Sequence, residues 1–157
     1  VVLSREQDGV QQIVFVNGHL EPEHIDVLRG VTLYHPRRGE GAAQVIFSDN
    51  TRRRCAERLG GEFASGACHA GRYELSILLP PDPEGVRDEE RRRLPEVSVG
   101  LLARMKEGAS NFREVGADRA YCGDPASASP EEGEKLIEQL AELTVAAVRE
   151  AWPELFE

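Results

Sequence analysis

Ile13-Val14-Phe15-Val16-Asn17-Gly18-His19-Leu20-Glu21 is an apolar run that halts at an Asn-Gly turn and then presents a histidine and, two residues on, a carboxylate. Uniform apolarity, without alternation, marks a strand covered on both faces, as in a parallel sheet. Such sheets gather ligands at the carboxyl ends of their strands, which is where His19 and Glu21 fall. An imidazole beside a carboxylate suits Zn2+, Mn2+ or Fe2+, cations that take nitrogen and anionic oxygen together.

Outward from that stretch, Pro22 stands at a first helical position with Ile25 and Leu28 behind it, so a helix opens just past the candidate ligands. Ala43-Gln44-Val45-Ile46-Phe47 is a second strand; Ser48-Asp49-Asn50 is an N-cap cluster for a helix from Thr51 to about Leu59, closed by Gly60-Gly61. Strand, helix, strand, helix is the order of an α/β fold with a mostly parallel sheet, and 157 residues make one domain spanning 1–157. The small-residue segment from Phe63 to Gly71 suits close backbone approach. Tyr73 to Leu79 fits a short strand or a buried helix equally, and Pro80, Pro81 and Pro83 end it. A helix from about Ser98 to Lys106 stops at Gly108. The last helix is the plainest: Ser129 caps, Pro130 leads and Glu132 completes a capping box, with Ile137, Leu140, Thr144, Val148 and Trp152 as its apolar stripe. Trp152 reads as a packing anchor.

A net charge of −9 argues against a nucleic-acid partner. The arginine clusters at 52–54 and 91–93 are interleaved with acids and read as solvated helix faces. Cys55, Cys68 and Cys122 are odd in number and lack Cys-x-x-Cys spacing, which disfavours a disulfide scaffold or zinc ribbon. Cys68 precedes His69, but neighbouring side chains diverge, so a Cys/His nucleophile is disfavoured. No apolar run is long enough for a bilayer and nothing reads as a signal peptide, so the expectation is a soluble, cytoplasmic protein without membrane contact. The opening at Val1 reads as a processed or trimmed product. His24 reads as a surface or capping histidine within reach of Glu21, His35 as an exposed turn residue, and Asp124 as a turn former.

Three pieces occur in order: Asn17-Gly18-His19-Leu20-Glu21, His69-Ala70-Gly71-Arg72-Tyr73-Glu74-Leu75-Ser76, and Gly123-Asp124-Pro125-Ala126-Ser127-Ala128-Ser129 running into an acidic helix start. Together they resemble the creatinine amidohydrolase (creatininase) family, which shows Asn-Gly-His, His-Ala-Gly-x-x-Glu-Thr-Ser and Gly-Asp-Pro-x-x-Ala-Ser/Thr-x-Glu-x-Gly in that order. The resemblance implies a three-layer α/β/α domain in a homo- or hetero-oligomer that hydrolyses a non-peptide or cyclic amide C–N bond at two divalent metals. On matching positions it implies metal ligation by His19 and Glu21, proton handling by His69, and Glu74 as the acid at the metal or its water. Arg72 and Tyr73 become candidate substrate contacts. Leu75 stands where the family has threonine. The family's Glu-x-His and downstream Asp, which carry the remaining ligands, have no counterpart in these residues, so the resemblance also implies a second polypeptide bearing them. Two alternatives stand beside this reading: a creatininase-like peptidase or deformylase acting on a modified peptide or metabolite, and a non-catalytic subunit of such an assembly.

Overall fold

The computed structural model describes residues 1–66 and 69–157, which form two compact units, Val1–Cys55 with Ala141–Glu157, and Ala56–Leu140. Ala67 and Cys68 lie outside the described residues, so the reading of Cys68 finds no structural counterpart.

In the first unit a helix, α1 (Val2–Gln7), precedes the first strand, where the sequence suggested that the strand comes first. Strands β1 (Gln12–Phe15) and β2 (Gln44–Phe47) pair in parallel with Gln12 opposite Gln44 and Phe15 opposite Phe47. Between them run α2 (Pro22–Tyr34) and a 3-10 turn, His35–Arg38. The expectation of a strand buried on both faces is corrected: β1 is half-buried throughout, and Val16 beyond it is 71 % exposed. Among the described residues the sheet has these two strands alone, so each strand is an edge with one hydrogen-bonding side unpaired. Val45, Ile25 and Ala43 are buried, and Trp152 is the anchor expected of it, with its Nε1–H donating to Gln44 Oε1.

His35 is also a correction, being buried and not an exposed turn residue. Its Nε2 lies 2.6 Å from Glu6 Oε1, an oxygen that also accepts from the Ala43 N–H at 2.6 Å. A polar ring survives burial when a partner replaces its water, and the partner comes from α1, a helix with no clear signal in the sequence. Asp49 likewise does more than cap. Its buried carboxylate accepts from the Thr51 hydroxyl and backbone N–H and from Arg29 Nε at 2.9 Å, and α3 (Arg53–Leu59) starts two residues later than Thr51. Burial pushes that carboxyl up, but Thr51 and Arg29 outweigh it and hold it below its ordinary range.

In the second unit the left-handed Gly60 and Gly61 (φ 61° and 48°) close α3 as expected and open α4 (Gly61–Ser65). The ambiguous segment is a helix, α5 (Arg72–Leu78). Then come α6 (Asp88–Arg91) and α7 (Leu101–Lys106), the latter starting later than Ser98. Val115, Ala117 and Cys122 form a core packed by Val97, Val99, Leu101 and Phe112.

Helix α8 (Pro130–Ala151) contributes residues to both units. Its buried positions are Gly133, Leu136 and Leu143, whereas Ile137, expected in the stripe, is 40 % exposed. Leu140, Thr144 and Val148 of the expected stripe are half-buried and Trp152 is buried, and the covered face takes in Gly133, Leu136 and Leu143 beside them. Gly133 lies where the backbone of α5 comes closest: a Cβ there would stand 1.8 Å from Ser76 O. No helix among the described residues is long and apolar enough to cross a membrane.

Gly133→Ala is expected to destabilise by about 3 kcal/mol, the upper end for forced overpacking, read as a lowered denaturant midpoint; a midpoint equal to wild type would show that α5 and α8 have room to spare. The Glu6 carboxyl is held below the usual range, first by the Ala43 N–H and then by His35. Because its folded value is the lower one, its stabilisation is complete above the ordinary carboxylate value of about 4.3 and is lost as pH falls through the folded value. Between pH 5 and acid, the denaturation midpoint of wild type should therefore fall more steeply than that of Glu6→Gln.

Candidate functional site

In the first unit, the loop after β1 turns back on itself. Asn17 Nδ2 donates to the His19 carbonyl, and Asn17 Oδ1 lies 3.0 Å from His24 Nε2. His24 in turn meets the His19 ring edge-on at 5.4 Å between centroids. Glu21 is the N-cap of α2: its Oε1 accepts from Glu23 N–H at 3.1 Å and its Oε2 from His24 N–H at 2.8 Å. These two N–H groups, His24 first, hold the Glu21 carboxyl below its ordinary range and keep it an anion. His19, Glu21 and His24 thus share one loop, and His24 is exposed with its N–H in the Glu21 cap, as its surface or capping reading has it. Capping uses one lone pair of each Glu21 oxygen and leaves the other.

Zinc, manganese or iron takes four or more donors. Among the described residues no three of His, Cys, Asp or Glu stand close enough to hold a metal ion. The donor types in this loop fit a divalent metal, an exposed imidazole and an ionised carboxylate, but as part of a shell. At the carboxyl end of β2, Asn50 Oδ1 is buried without a hydrogen-bond partner among the described residues.

In the second unit, His69 pairs with Cys122 in an antiparallel bridge, N–H to carbonyl at 3.3 Å and 2.8 Å, and Gly123 pairs with Val97 in the same manner. The His69 ring stacks on Phe112 with centroids 4.5 Å apart. Ala70 adopts a left-handed φ of 49°, and its N–H donates to Glu74 Oε2, in the first turn of α5. His69 and Glu74 are therefore brought to one loop. Gly71 is the N-cap of α5 and has no space for a side chain: a Cβ would lie 2.5 Å from Cys122 O and 2.6 Å from both Glu62 carboxylate oxygens.

Arg72 Nε donates to Glu132 Oε2 at 2.6 Å, and that ion pair raises the Arg72 pKa. Tyr73 is buried, its ring 4.6 Å from that of Phe63. The expected capping box at α8 is half formed. Ser129 Oγ accepts from Glu132 N–H at 3.2 Å, but the Glu132 carboxylate turns to Arg72 and to Ser76 Oγ at 3.1 Å. Ser76 Oγ takes over the other half of the box, accepting from the Ser129 N–H at 3.1 Å. Asp124 shapes a turn, accepting from Ser127 N–H at 3.3 Å and from its hydroxyl.

Two residues with structural command of this region escaped the sequence reading. Glu62 accepts from the N–H groups of Arg72 at 3.0 Å, Tyr73 at 2.8 Å and Asp124 at 2.8 Å. Arg91, expected on a solvated face, is 5 % exposed; its Nη1 donates to the carbonyls of Pro125 at 2.6 Å, Ala126 at 3.0 Å and Ala128 at 3.2 Å. Asp88, three residues earlier, supplies its counter-charge. Only the cluster of three acids before Arg91 hinted at a partner, and no sequence signal pointed to the carbonyls.

The family model described as creatinine amidohydrolase matches residues 1–148. No curated protein and no solved structure matches the chain.

Arg91→Lys keeps the charge but loses the planar fork that reaches several carbonyls at once. Leaving buried carbonyls unpaired costs about 1–3 kcal/mol, so urea unfolding of this variant is expected at a lower midpoint with an unchanged slope. An unaltered midpoint would mean that the carbonyls of Pro125, Ala126 and Ala128 do not depend on Arg91.

Proposed function

This chain belongs to the creatininase family, a family of amidohydrolases generally dependent on divalent metal, and from that premise we propose that it hydrolyses a non-peptide or cyclic amide C–N bond in the cytoplasm. The proposal includes the family's three-layer α/β/α arrangement and two divalent metals, Zn2+, Mn2+ or Fe2+, with His19 and Glu21 among the ligands. A second polypeptide, in a homo- or hetero-oligomer, carries the remaining donors, because a neutral imidazole and a carboxylate fall short of a shell.

The observation that carries this reading is the loop from His69 to Glu74. Its histidine is held by backbone pairing on one side and ring stacking on Phe112, and its carboxylate is locked to the Ala70 N–H. Bound metal supplies a polarised carbonyl and water of lowered pKa. His69 delivers a proton to the departing nitrogen, since imidazole changes charge near neutral pH and a poor leaving group has to be protonated as the C–N bond breaks. Glu74 keeps the loop in its left-handed turn through Ala70 and offers an acceptor for a proton from water. Arg72 and Tyr73, on the first turn of α5 beside Glu74, border the substrate.

His69→Ala is expected to lower turnover by about 10²-fold to 10⁴-fold, the range for a general acid–base group, with metal content retained in the assembled protein. Loss of metal together with activity would make His69 a ligand instead. Hydrolysis of small cyclic amides and of formamides, with each metal supplied and with the complementing polypeptide present, tests the reading as a whole. A fully metallated assembly that cleaves none of them would overturn it.

A further inference from the structure

A carboxylate of the second unit that the amide-cleaving chemistry does not itself employ sits where it governs the loop that does. Glu62, on α4, is only partly buried, yet both its oxygens are committed: Oε1 accepts from Arg72 N–H and Asp124 N–H, and Oε2 from Tyr73 N–H. The first and third donors open α5, directly after the His69-Ala70-Gly71 loop. The second belongs to the Gly-Asp-Pro turn. Through these three bonds Glu62 ties the start of α5 to that turn. Gly71 confirms how tight the arrangement is, since any Cβ there would strike Glu62 oxygens and the Cys122 carbonyl together. On either side of Gly71 lie Ala70, whose N–H goes to Glu74, and His69, which bridges to Cys122.

We propose that Glu62 is a positioning residue of the candidate site: by holding the start of α5 on the Gly123–Pro125 turn, it sets where the His69 ring and the Glu74 carboxylate stand. The inference rests on the amide-hydrolysis reading for its chemistry, but not for its geometry. A carboxylate suits the task because it offers four acceptor lone pairs and no donor, and bonds from N–H to an anion are about twice as strong as neutral ones. Glutamine does not replace it. One of its two terminal atoms is an NH₂, so at least one backbone N–H is left facing another donor.

The test uses the full chain with Glu62→Gln and reads magnetic resonance as well as kinetics. The amide protons of Arg72, Tyr73 and Asp124, bonded to an anion in wild type, move upfield. The Hε1 proton of His69, ring-shifted by Phe112, moves with them, while the Hε1 protons of His19, His24 and His35 in the other unit stay in place. In the assembled enzyme, turnover of a small cyclic amide falls about 10²-fold, the scale of an ångström's misplacement, with KM little changed. Should Glu62→Gln fail to fold, Glu62→Asp serves: it keeps the charge but falls a methylene short, and the same resonances move. Unmoved His69 and amide signals overturn the proposal, as does a shift of all the histidines together, which would make Glu62 a general structural support. Turnover equal to wild type despite moved signals also overturns it. A wild-type assembly inactive on every amide probe counts against the functional reading, and the His69 signals still decide whether Glu62 positions the ring.

Discussion

Backbone N–H groups at helix starts and in turns have no ladder partner and need an acceptor, and in this chain carboxylates serve a recurring set of them beside the backbone carbonyls. Glu6 takes the Ala43 N–H, Glu21 those of Glu23 and His24, Asp49 that of Thr51, Glu62 three more, Glu74 that of Ala70 and Glu114 that of Ser110. The sheet offers only two short strands among the described residues, so few of these donors can be paired by a ladder. An anion is the strongest available alternative. The excess of acids, 28 against 19 lysines and arginines, thus has an internal use beside its external one. Arg91 is the same device with the sign reversed, a cation that gathers carbonyls.

This explains what was legible in the sequence. Period and punctuation act locally, and so the parallel β1–β2 pair, Pro22 at the head of α2, the stop at Gly60-Gly61 and the start of α8 at Pro130 all show in the residues alone. Long-range acceptors have no such period. Glu62 looks like any acid before a phenylalanine, and its partners stand ten, eleven and 62 positions away. His35 beside a proline resembles a turn residue until Glu6, 29 positions earlier, arrives to pair it. The contact of α8 with α5 escaped for a related reason: a glycine carries no apolar signal, and Gly133 matters by what it lacks.

The candidate site divides along the same line. The residues proposed for the chemistry, His19 and Glu21 in the first unit and His69 and Glu74 in the second, lie in short motifs and are found by reading along the chain. What those residues touch does not follow from the motifs. Glu21 emerges as a helix cap as well as a potential ligand, and Arg72 as half of an ion pair with Glu132. Leu75, where the family has threonine, is followed by Ser76, whose hydroxyl joins Glu132 and the Ser129 N–H. The hydroxyl that matters to the helix junction is therefore present at the next position.

Small residues and charged ones act here as complementary parts of one mechanism. Gly71 and Gly133 bring backbones closer than any side chain permits, 2.5 Å and 1.8 Å from would-be Cβ to carbonyl oxygen. Such approach excludes water from the peptide groups nearby, which raises the cost of leaving any of them unpaired. Glu62 stands beside the first contact and Ser76 at the second, each satisfying the donors that the approach strands. Enlarging the glycine and removing the acceptor should therefore be coupled changes, not additive ones. Once Gly71→Ala has pushed the loop off Cys122 and Glu62, the bonds that Glu62→Gln would remove are already broken, and the double variant should lose less stability than the sum of the single ones.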